Sequence, residues 1–434
     1  MPAVVVIGGQ WGDEGKGRVV DLLAQRAQVV ARYSAGSNAG HTIVNDLGEF
    51  RLHLVPAGIF YPDKLCLIGN GVAVDPRVLI EEISSLERRG VQVRGRLFIS
   101  DRAHVTMPWH VLQDRLEEEM RGKGAIGTTG RGVGPTFADK VGRMGIRMVD
   151  LVDPDALKER MTRVLAFKNA LLTRFYGAEP LDLEQVWSEY AEYGARLRPF
   201  VADTATLVQE ALARGETVLL EGAQGSLLDL DLGTYEYVTS SVPSSLAGGA
   251  CIGMGIGPTQ VSAVVGVYKS YMTRVGNGPM PTELLDEQGT MLREAGPRPE
   301  YGATTGRPRR CGWFDAVASR YTARANGLTT IALTRLDVLD RFPTISICVA
   351  YRLDGHVTET FPASTDALWR AQPVYEEMPG WEEDTSGVRR FDDLPPRAQA
   401  YVRRVEELLG VPVSLVSVGP ERDQAIVLRD FLPR

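Results

Sequence analysis

What the 434-residue sequence lacks narrows its chemistry before any motif is read. It has four cysteines, Cys66, Cys251, Cys311 and Cys348, far apart and without a CxxC pair, so neither a disulfide framework nor a zinc-ligand spacing is indicated. A reducing, cytoplasmic setting is the expectation. Cations are not in excess, since 48 Lys and Arg face 55 Asp and Glu for a formal net charge of −7. Nucleic acids and anionic membrane surfaces are held chiefly by clustered cations, so neither is an expected partner. No secretion signal is expected either, because Met1-Pro2-Ala3 runs into the first apolar stretch without a basic flank.

Long apolar runs are also missing, with one apparent exception. From Tyr237 to Tyr268 there is no charged side chain, a length that could cross a bilayer. The stretch holds Pro243, Pro258 and five glycines between Gly248 and Gly257, a composition that predicts a buried loop near a ligand. Linkers, charge blocks and repeats are absent as well, which predicts one domain over 1–434.

What is present is alternation. Short β-branched or apolar runs at 4–7, 218–220, 263–267, 330–333, 345–350 and 413–418 are interleaved with helix-like stretches at 76–89, 108–121, 154–175, 183–213, 314–326 and 395–409. This predicts an α/β fold, a large mostly parallel central sheet with helices on both faces and long loop excursions. Glycine-dense loops fall at 36–42, 122–135, 222–233, 248–257 and 302–312, and in such sheets ligands gather in loops beyond the strand C-termini. The charged region 379–393 reads as a surface insertion.

The most informative segment is Gly8-Gly9-Gln10-Trp11-Gly12-Asp13-Glu14-Gly15-Lys16-Gly17. An apolar run leads in and an amphipathic stretch leads out, the order of a strand, a phosphate-cradling loop and a helix. Lys16 can reach β and γ phosphates. The ordinary P-loop has four residues between its Gly and Gly-Lys and then a Ser or Thr for magnesium; here five residues separate Gly9 from Gly15, and Gly17 carries no hydroxyl. Asp13 is the group inside the loop able to hold a metal or do chemistry instead.

Four further segments carry polar groups between small residues. Gly36-Ser37-Asn38-Ala39-Gly40-His41-Thr42 brings an amide and an imidazole to a flexible loop, whereas His53, His104, His110 and His356 lack such a setting and read as structural. Gly222-Ala223-Gln224-Gly225 follows a short strand. Gly302 to Arg310 contains Arg307, Arg309 and Arg310, guanidinium groups that pair bidentately with carboxylate or phosphate. Thr334-Arg335-Leu336-Asp337 follows an apolar strand and matches the (N/T)-K-x-D pattern of GTP-binding proteins. Its Asp accepts from N1–H and the 2-amino group of guanine, which adenine cannot match.

Together GGQWGDEGKG (8–17), GSNAGHT (36–42), GRGVGPTFADK (130–140), EGAQGSLLDLDLGTYEYVTSS (221–241), GATTGRPRRCGWFD (302–315) and TRLDVLD (334–340) resemble the adenylosuccinate synthetases, in order and over nearly the whole chain. The resemblance implies a P-loop-like nucleotide-binding architecture and a GTP-dependent ligase of purine biosynthesis. Such an enzyme joins IMP to L-aspartate through a 6-phosphoryl intermediate and releases GDP and phosphate, with one Mg2+ per subunit. It implies that Asp13 takes the N1 proton of IMP and ligates magnesium with the backbone of Gly40. His41, Lys16 and Gln224 complete the catalytic set.

For GTP the resemblance points to Gly12, Asp13, Glu14, Gly15, Lys16, Gly17 and Arg18, then to Gly40, His41 and Thr42. Arg309, the base-recognising Arg335, Leu336 and Asp337, and Ser417, Val418 and Gly419 complete that set. For IMP it points to Asp13, Lys16, Asn38, Ala39, Gly40 and His41, with Thr129, Gln224, Thr239 and Arg307. Arg143 is expected to reach the IMP of a partner subunit in a homodimer. Aspartate is expected under the loop of Ala303, Thr304, Thr305, Gly306, Arg307, Pro308 and Arg309.

Three positions depart from the family pattern. Arg335 stands where Lys is usual, Val242 where Asn is usual and Glu236 where Pro is usual. The retained Asp13 argues against the related phage enzymes that accept dGMP. Outside the resemblance, a GTPase switch would explain the cradle and the TRLD segment but not Asp13 or the arginines. A kinase or ATP-dependent ligase would leave Asp337 unexplained, and a non-catalytic nucleotide scaffold would not couple phosphate release to further ligands.

Overall fold

A computed structural model describes residues 3–45, 48–301, 306 and 308–430. Ten strands form its central sheet. Numbered along the chain they are β1 (Ala3–Gly8), β2 (Val29–Arg32), β3 (Leu65–Ile68), β4 (Leu97–Ser100) and β5 (Val201–Ala202). They continue with β6 (Val218–Gly225), β7 (Val261–Lys269), β8 (Thr330–Thr334), β9 (Val413–Ser417) and β10 (Ala425–Val427). Across the sheet the order is β10-β9-β8-β7-β1-β6-β2-β3-β4-β5, and every neighbouring pair is parallel except β9 with β10.

The middle strand, β1, is buried along its whole length, as an uninterrupted apolar strand covered on both faces should be. Alternate side chains serve opposite layers. Val4 and Val6 pack with Val19, Val20 and Leu23 of the helix Lys16–Ala24. Ala3, Val5 and Ile7 pack with Ala247, Ala250 and Met254 of the helix Ala247–Met254 on the other side. The parallel order brings the C-terminal ends of β1, β2, β6, β7, β8 and β9 to one edge, and their loops build the site.

The mostly parallel α/β architecture agrees with the alternation in the sequence, but four segments differ in detail. The run at 345–350 lies in Thr344–Leu353, which leaves the central sheet for a smaller one with Phe314–Asp315, His356–Thr358 and Gln372–Pro379. The helical stretch 183–213 is two helices, Leu183–Leu197 and Thr204–Ala213. Pro199 and the edge strand β5 interrupt it, and Asp203 restarts it by accepting from Thr206 N at 3.2 Å.

The charge-free stretch 237–268 is a loop, a short helix and β7. Among the described residues no helix is long and apolar enough to cross a membrane. The loop is tied down by buried Asp229, whose Oδ2 accepts from Ser244 Oγ at 2.5 Å and Ser245 N at 3.0 Å.

The region 379–393 is not simply a surface insertion. Trp381 and Thr385 are 4% and 0% exposed, because Asp340 accepts from Trp381 Nε1 at 2.7 Å and from Thr385 N at 2.8 Å. The Thr385 hydroxyl donates to the same carboxylate at 2.9 Å. This pins the segment behind the loop that follows β8. Asp340→Ala leaves those donors unmatched and should cost about 2–4 kcal/mol, roughly 2–4 °C in Tm for a chain of this size. Thermal unfolding followed by circular dichroism checks it; an unchanged midpoint would contradict the anchoring.

Candidate active site

The loop after β1 turns sharply at Gly12, Asp13 and Gly15, with φ of 91°, 59° and 85°. Aspartate is among the few side chains that tolerate this left-handed region. Glu14, next in the chain, is folded inward and fully buried. Its Oε1 accepts from Gln10 N at 3.0 Å and Gly12 N at 2.9 Å, and its Oε2 lies 2.7 Å from Lys16 Nζ. The carboxylate fits because position 225 is glycine, where a Cβ would sit 2.7 Å from Glu14 Oε1 and 2.2 Å from Gln10 O. Glu14 thus braces the loop from within, and Asp13 faces outward. Gly17 also has a steric reason, because a Cβ there would press on His41 Cβ at 3.3 Å. An imidazole takes the room that a Ser or Thr fills in an ordinary P-loop.

Two clefts open at this edge, of about 450 Å³ and about 500 Å³, each of a size that suits a small molecule. Gly15, Lys16, Gly17, Arg18, His41, Arg309, Arg335, Ser417 and Gly419 line the first. Gly12, Asn38, Ala39, Thr129, Gln224 and Thr239 line the second. Asp13, Gly40 and Ala223 line both. Asp13 therefore stands where the clefts meet.

The charges around Asp13 are linked. Arg309 Nε donates to Asp13 Oδ2 at 2.7 Å and Arg309 Nη1 to Glu300 Oε2 at 2.6 Å. Buried Glu300 also accepts from Lys269 Nζ at 2.8 Å and Tyr271 Oη at 2.5 Å, and Arg335 Nη2 lies 3.4 Å away. Burial alone would raise the Glu300 carboxyl, but Lys269, Arg335 and Arg309 hold it well below the usual carboxylate range. Arg310 does not join them, because it pairs with Glu283 at 2.7 Å and donates to Gly278 O at 2.7 Å.

His41 meets a second buried chain. Its Nδ1 is 2.6 Å from Glu221 Oε1, Glu221 Oε2 accepts from Ala57 N at 3.0 Å, and Arg32 Nη1 lies 4.0 Å from the carboxylate. Burial lowers the His41 pKa against the opposing pull of Glu221. Burial also opposes ionisation of Glu221, but His41 and Arg32 prevail and hold its pKa below the ordinary value.

Among the polar atoms buried without a hydrogen-bond partner in the protein are both ring nitrogens of His41, Glu221 Oε1, the three guanidinium nitrogens of Arg32, both amide atoms of Gln224 and Asp337 Oδ1. Such atoms are uncommon unless a ligand or water serves them. Arg18 Nη1 donates to Ser417 Oγ at 2.7 Å and also to the Gly419 carbonyl. Leu336 and Val418 have their side chains in the core, and Val418 N donates to Gln424 O at 2.9 Å. The Ala39 carbonyl accepts from His53 Nδ1 at 2.7 Å. His53, His104, His110 and His356 line neither cleft.

Arg143 is exposed after the helix Val133–Val141, with φ of 62°, and lines neither cleft of its own chain. Gly306 is exposed and Pro308 bridges to Tyr301. Ala303, Thr304, Thr305 and Arg307 lie outside the described residues, as does the side chain of Thr42. Val242 offers its carbonyl to Lys140 Nζ at 2.5 Å, and Glu236 is exposed. Among the described residues no group of three or more His, Cys, Asp or Glu could hold a metal ion.

Sequence reasoning missed Glu221, Arg32, Glu300 and Lys269. A signal existed for three of them: Arg32 and Lys269 are charged residues that end central strands, and Glu221 directly follows an apolar run inside one. Glu300 has no such mark.

The model of the adenylosuccinate synthetase family matches residues 5–426. An adenylosuccinate synthetase of Thermoanaerobacter sp. (strain X514) is 53% identical over 99% of this chain and 100% of its own length. That of Heliobacterium modesticaldum is 54% identical over 99% of each. Among solved structures, a fully ligated adenylosuccinate synthetase from Plasmodium falciparum superposes with a TM-score of 0.92 at 36% identity, covering 99% of this chain and 100% of that one. A cyanophage S-2L succinoaminodeoxyadenylate synthetase shares the fold, with a TM-score of 0.60 at 21% identity over 99% and 96% of the two chains.

The packing of His41 over Gly17 makes a direct prediction. Gly17→Ala should push the imidazole from the loop and weaken binding of a nucleoside triphosphate by roughly 10-fold, about 1.4 kcal/mol, as read by calorimetric titration. Wild-type affinity would contradict it.

Proposed function

The chain belongs to the adenylosuccinate synthetase family, and on that premise we propose how its two clefts divide the reaction. The enzyme is a C–N ligase of purine biosynthesis that joins IMP to L-aspartate as adenylosuccinate, with GTP as the energy-supplying substrate. The first cleft takes GTP and the second takes IMP. The single observation that carries this assignment is that Asp13 lines both clefts.

The 6-oxygen of IMP is a poor nucleophile as a neutral lactam. Asp13 takes the N1 proton, negative charge moves to O6, and O6 attacks the γ phosphorus. The O6–P bond forms while the bond from phosphorus to the β–γ bridging oxygen breaks, and GDP leaves with that electron pair. The amine of aspartate then attacks C6, the C6–O6 bond breaks, and phosphate leaves as the nitrogen gives up its proton. Lys16 and His41 offset charge on the transferring phosphoryl. Gln224, whose amide is otherwise unmatched, hydrogen-bonds the hypoxanthine side of the intermediate, and Asn38, Thr129 and Thr239 complete the IMP wall.

Asp337 Oδ1, also unmatched, accepts from the guanine edge, with Arg335 over the base and Ser417 to Gly419 beside it. In that state Arg18 yields its place at Ser417. Arg309 exchanges Asp13 for the anionic substrates, and the loop of Ala303 to Arg309 closes over aspartate. Magnesium fits this donor set, because it is commonly held by one or two carboxylates together with substrate phosphates. Asp13 and the Gly40 backbone would hold it, and when bound it supplies charge neutralisation at the phosphates. Arg143 reaches the neighbouring IMP in a homodimer of single-domain, cytoplasmic subunits.

Phosphate release from GTP, measured with IMP alone, aspartate alone and both, tests the scheme. Release should require both and yield a new ultraviolet-absorbing product; release without IMP would favour a GTPase. Asp13→Ala should retain GTP binding and lose about 10³-fold or more in turnover. Turnover like that of the wild type would remove Asp13 from the reaction.

A further inference from the structure

We propose that Glu118 is a positioning residue for IMP: its carboxylate gathers three successive backbone N–H groups of the segment 126–128 and so holds Thr128 and Thr129 in place as a wall of the second cleft. The inference rests on the reading of that cleft as the IMP site. Glu118 itself lines neither cleft, so its effect on the ligand runs through the loop.

The arrangement begins with helical spacing. Asp114 and Glu118 lie four residues apart on the helix Pro108–Arg121, so their carboxylates stand on one face, a turn apart. The chain that follows the helix folds back onto that face. Glu118 Oε1 accepts from Ile126 N at 3.2 Å, and its Oε2 accepts from Gly127 N at 2.8 Å and Thr128 N at 3.1 Å. Gly127 has a φ of 86°, and a left-handed residue in a turn aims successive N–H groups into one concavity that suits an anion. Here the protein supplies the anion.

Asp114 holds the next stretch. Its Oδ1 accepts from the Thr128 hydroxyl at 2.9 Å and its Oδ2 from Gly132 N at 2.8 Å. Gly132 closes directly on the helix backbone, where a Cβ would sit 2.7 Å from Val111 N. Ahead of Glu118's three donors, the Ala125 carbonyl accepts from Asn277 Nδ2 at 2.7 Å. Thr129 therefore follows one fixed residue and precedes another, and it lines the cleft together with Gln224 and Thr239.

Without Glu118 three N–H groups lose a charged acceptor, and the segment has to be ordered by the ligand, a cost that is subtracted from affinity. Charge acts in the opposite direction. IMP carries an anionic phosphate, so loss of a nearby carboxylate would on Coulomb grounds alone tighten its binding. Arg121 Nη1, 3.1 Å from Glu118 Oε1, is released by the same substitution and lines the cleft, which adds to the pull on an anion. A weaker affinity for IMP in a Glu118 variant therefore reports the loop and not the charge.

Steady-state kinetics and hydrogen exchange test this together. Glu118→Ala should raise KM for IMP roughly 10- to 100-fold, with kcat at saturating IMP and KM for GTP within about threefold. Glu118→Gln keeps the volume but turns an NH2 group toward the same donors, and it should raise KM for IMP as well. Glu119→Ala, at an exposed neighbour on the same helix, should leave it unchanged. With IMP bound, the amides of 126–128 should exchange at least about tenfold faster in Glu118→Ala than in the wild type, as read by mass spectrometry.

An unchanged KM for IMP in Glu118→Ala, or unchanged exchange at 126–128, would overturn the proposal. So would a fall in kcat at constant KM for IMP, which would leave Glu118 a general support of the fold. A rise in KM for GTP in place of IMP would overturn the reading of the clefts, and the proposal with it, while faster exchange still marked the loop as held by Glu118. If Glu118→Ala does not fold, Glu118→Gln carries both measurements.

Discussion

Glu14 turned into the protein is what leaves Asp13 turned out of it. Two carboxylates adjacent in a tight glycine loop cannot both face a polyanion. The inward one is neutralised by Lys16 and by the backbone donors of Gln10 and Gly12, and the glycine at 225 makes room for it. The left-handed turn at Gly12 and Asp13 then presents the second carboxylate at the seam of two clefts. A loop that only cradles phosphates needs no such device. A loop that must also take a proton beside the phosphates does.

Two buried carboxylates extend this logic into the scaffold. Glu300 gathers Lys269 from the end of β7, Arg335 from the segment after β8 and Arg309 from the arginine loop, and Arg309 reaches on to Asp13. Glu221 gathers Arg32 and His41. Each is costly to bury alone and is stabilised by opposite charge and hydrogen bonds. Each also ties a group at the cleft to a rigid central strand, the condition for groups that must be in place before reaction.

Much of this was legible in the sequence where chemistry and chain order coincide. The loop 8–17 declares itself because strand, glycines, lysine and the odd acid are contiguous, and Arg335 and Asp337 do so because their motif directly follows a strand. The mostly parallel sheet followed from alternating strand and helix patterns. What escaped depends on distances that sequence order does not encode. Glu221 meets Arg32 only through the register of β6 on β2, and Glu300 collects cations from three separate segments of the chain. Strands such as Leu65–Ile68 and Leu97–Ser100 are four residues long, too short to show a period. Thr344–Leu353 reads as a strand, but nothing in its own pattern says that it joins a second sheet. The segment 379–393 looks solvated because its charges outnumber Trp381 and Thr385, the two residues that Asp340 anchors.

The central claim is that IMP is made reactive at O6 and takes the γ-phosphoryl group before aspartate arrives at C6. IMP carrying 18O at its 6-position tests this most directly, with the released phosphate examined by mass spectrometry after turnover with GTP and aspartate in unlabelled water. The account predicts one 18O atom in each phosphate formed. Unlabelled phosphate alongside labelled water would contradict it, since O6 would then have left without ever bonding to phosphorus.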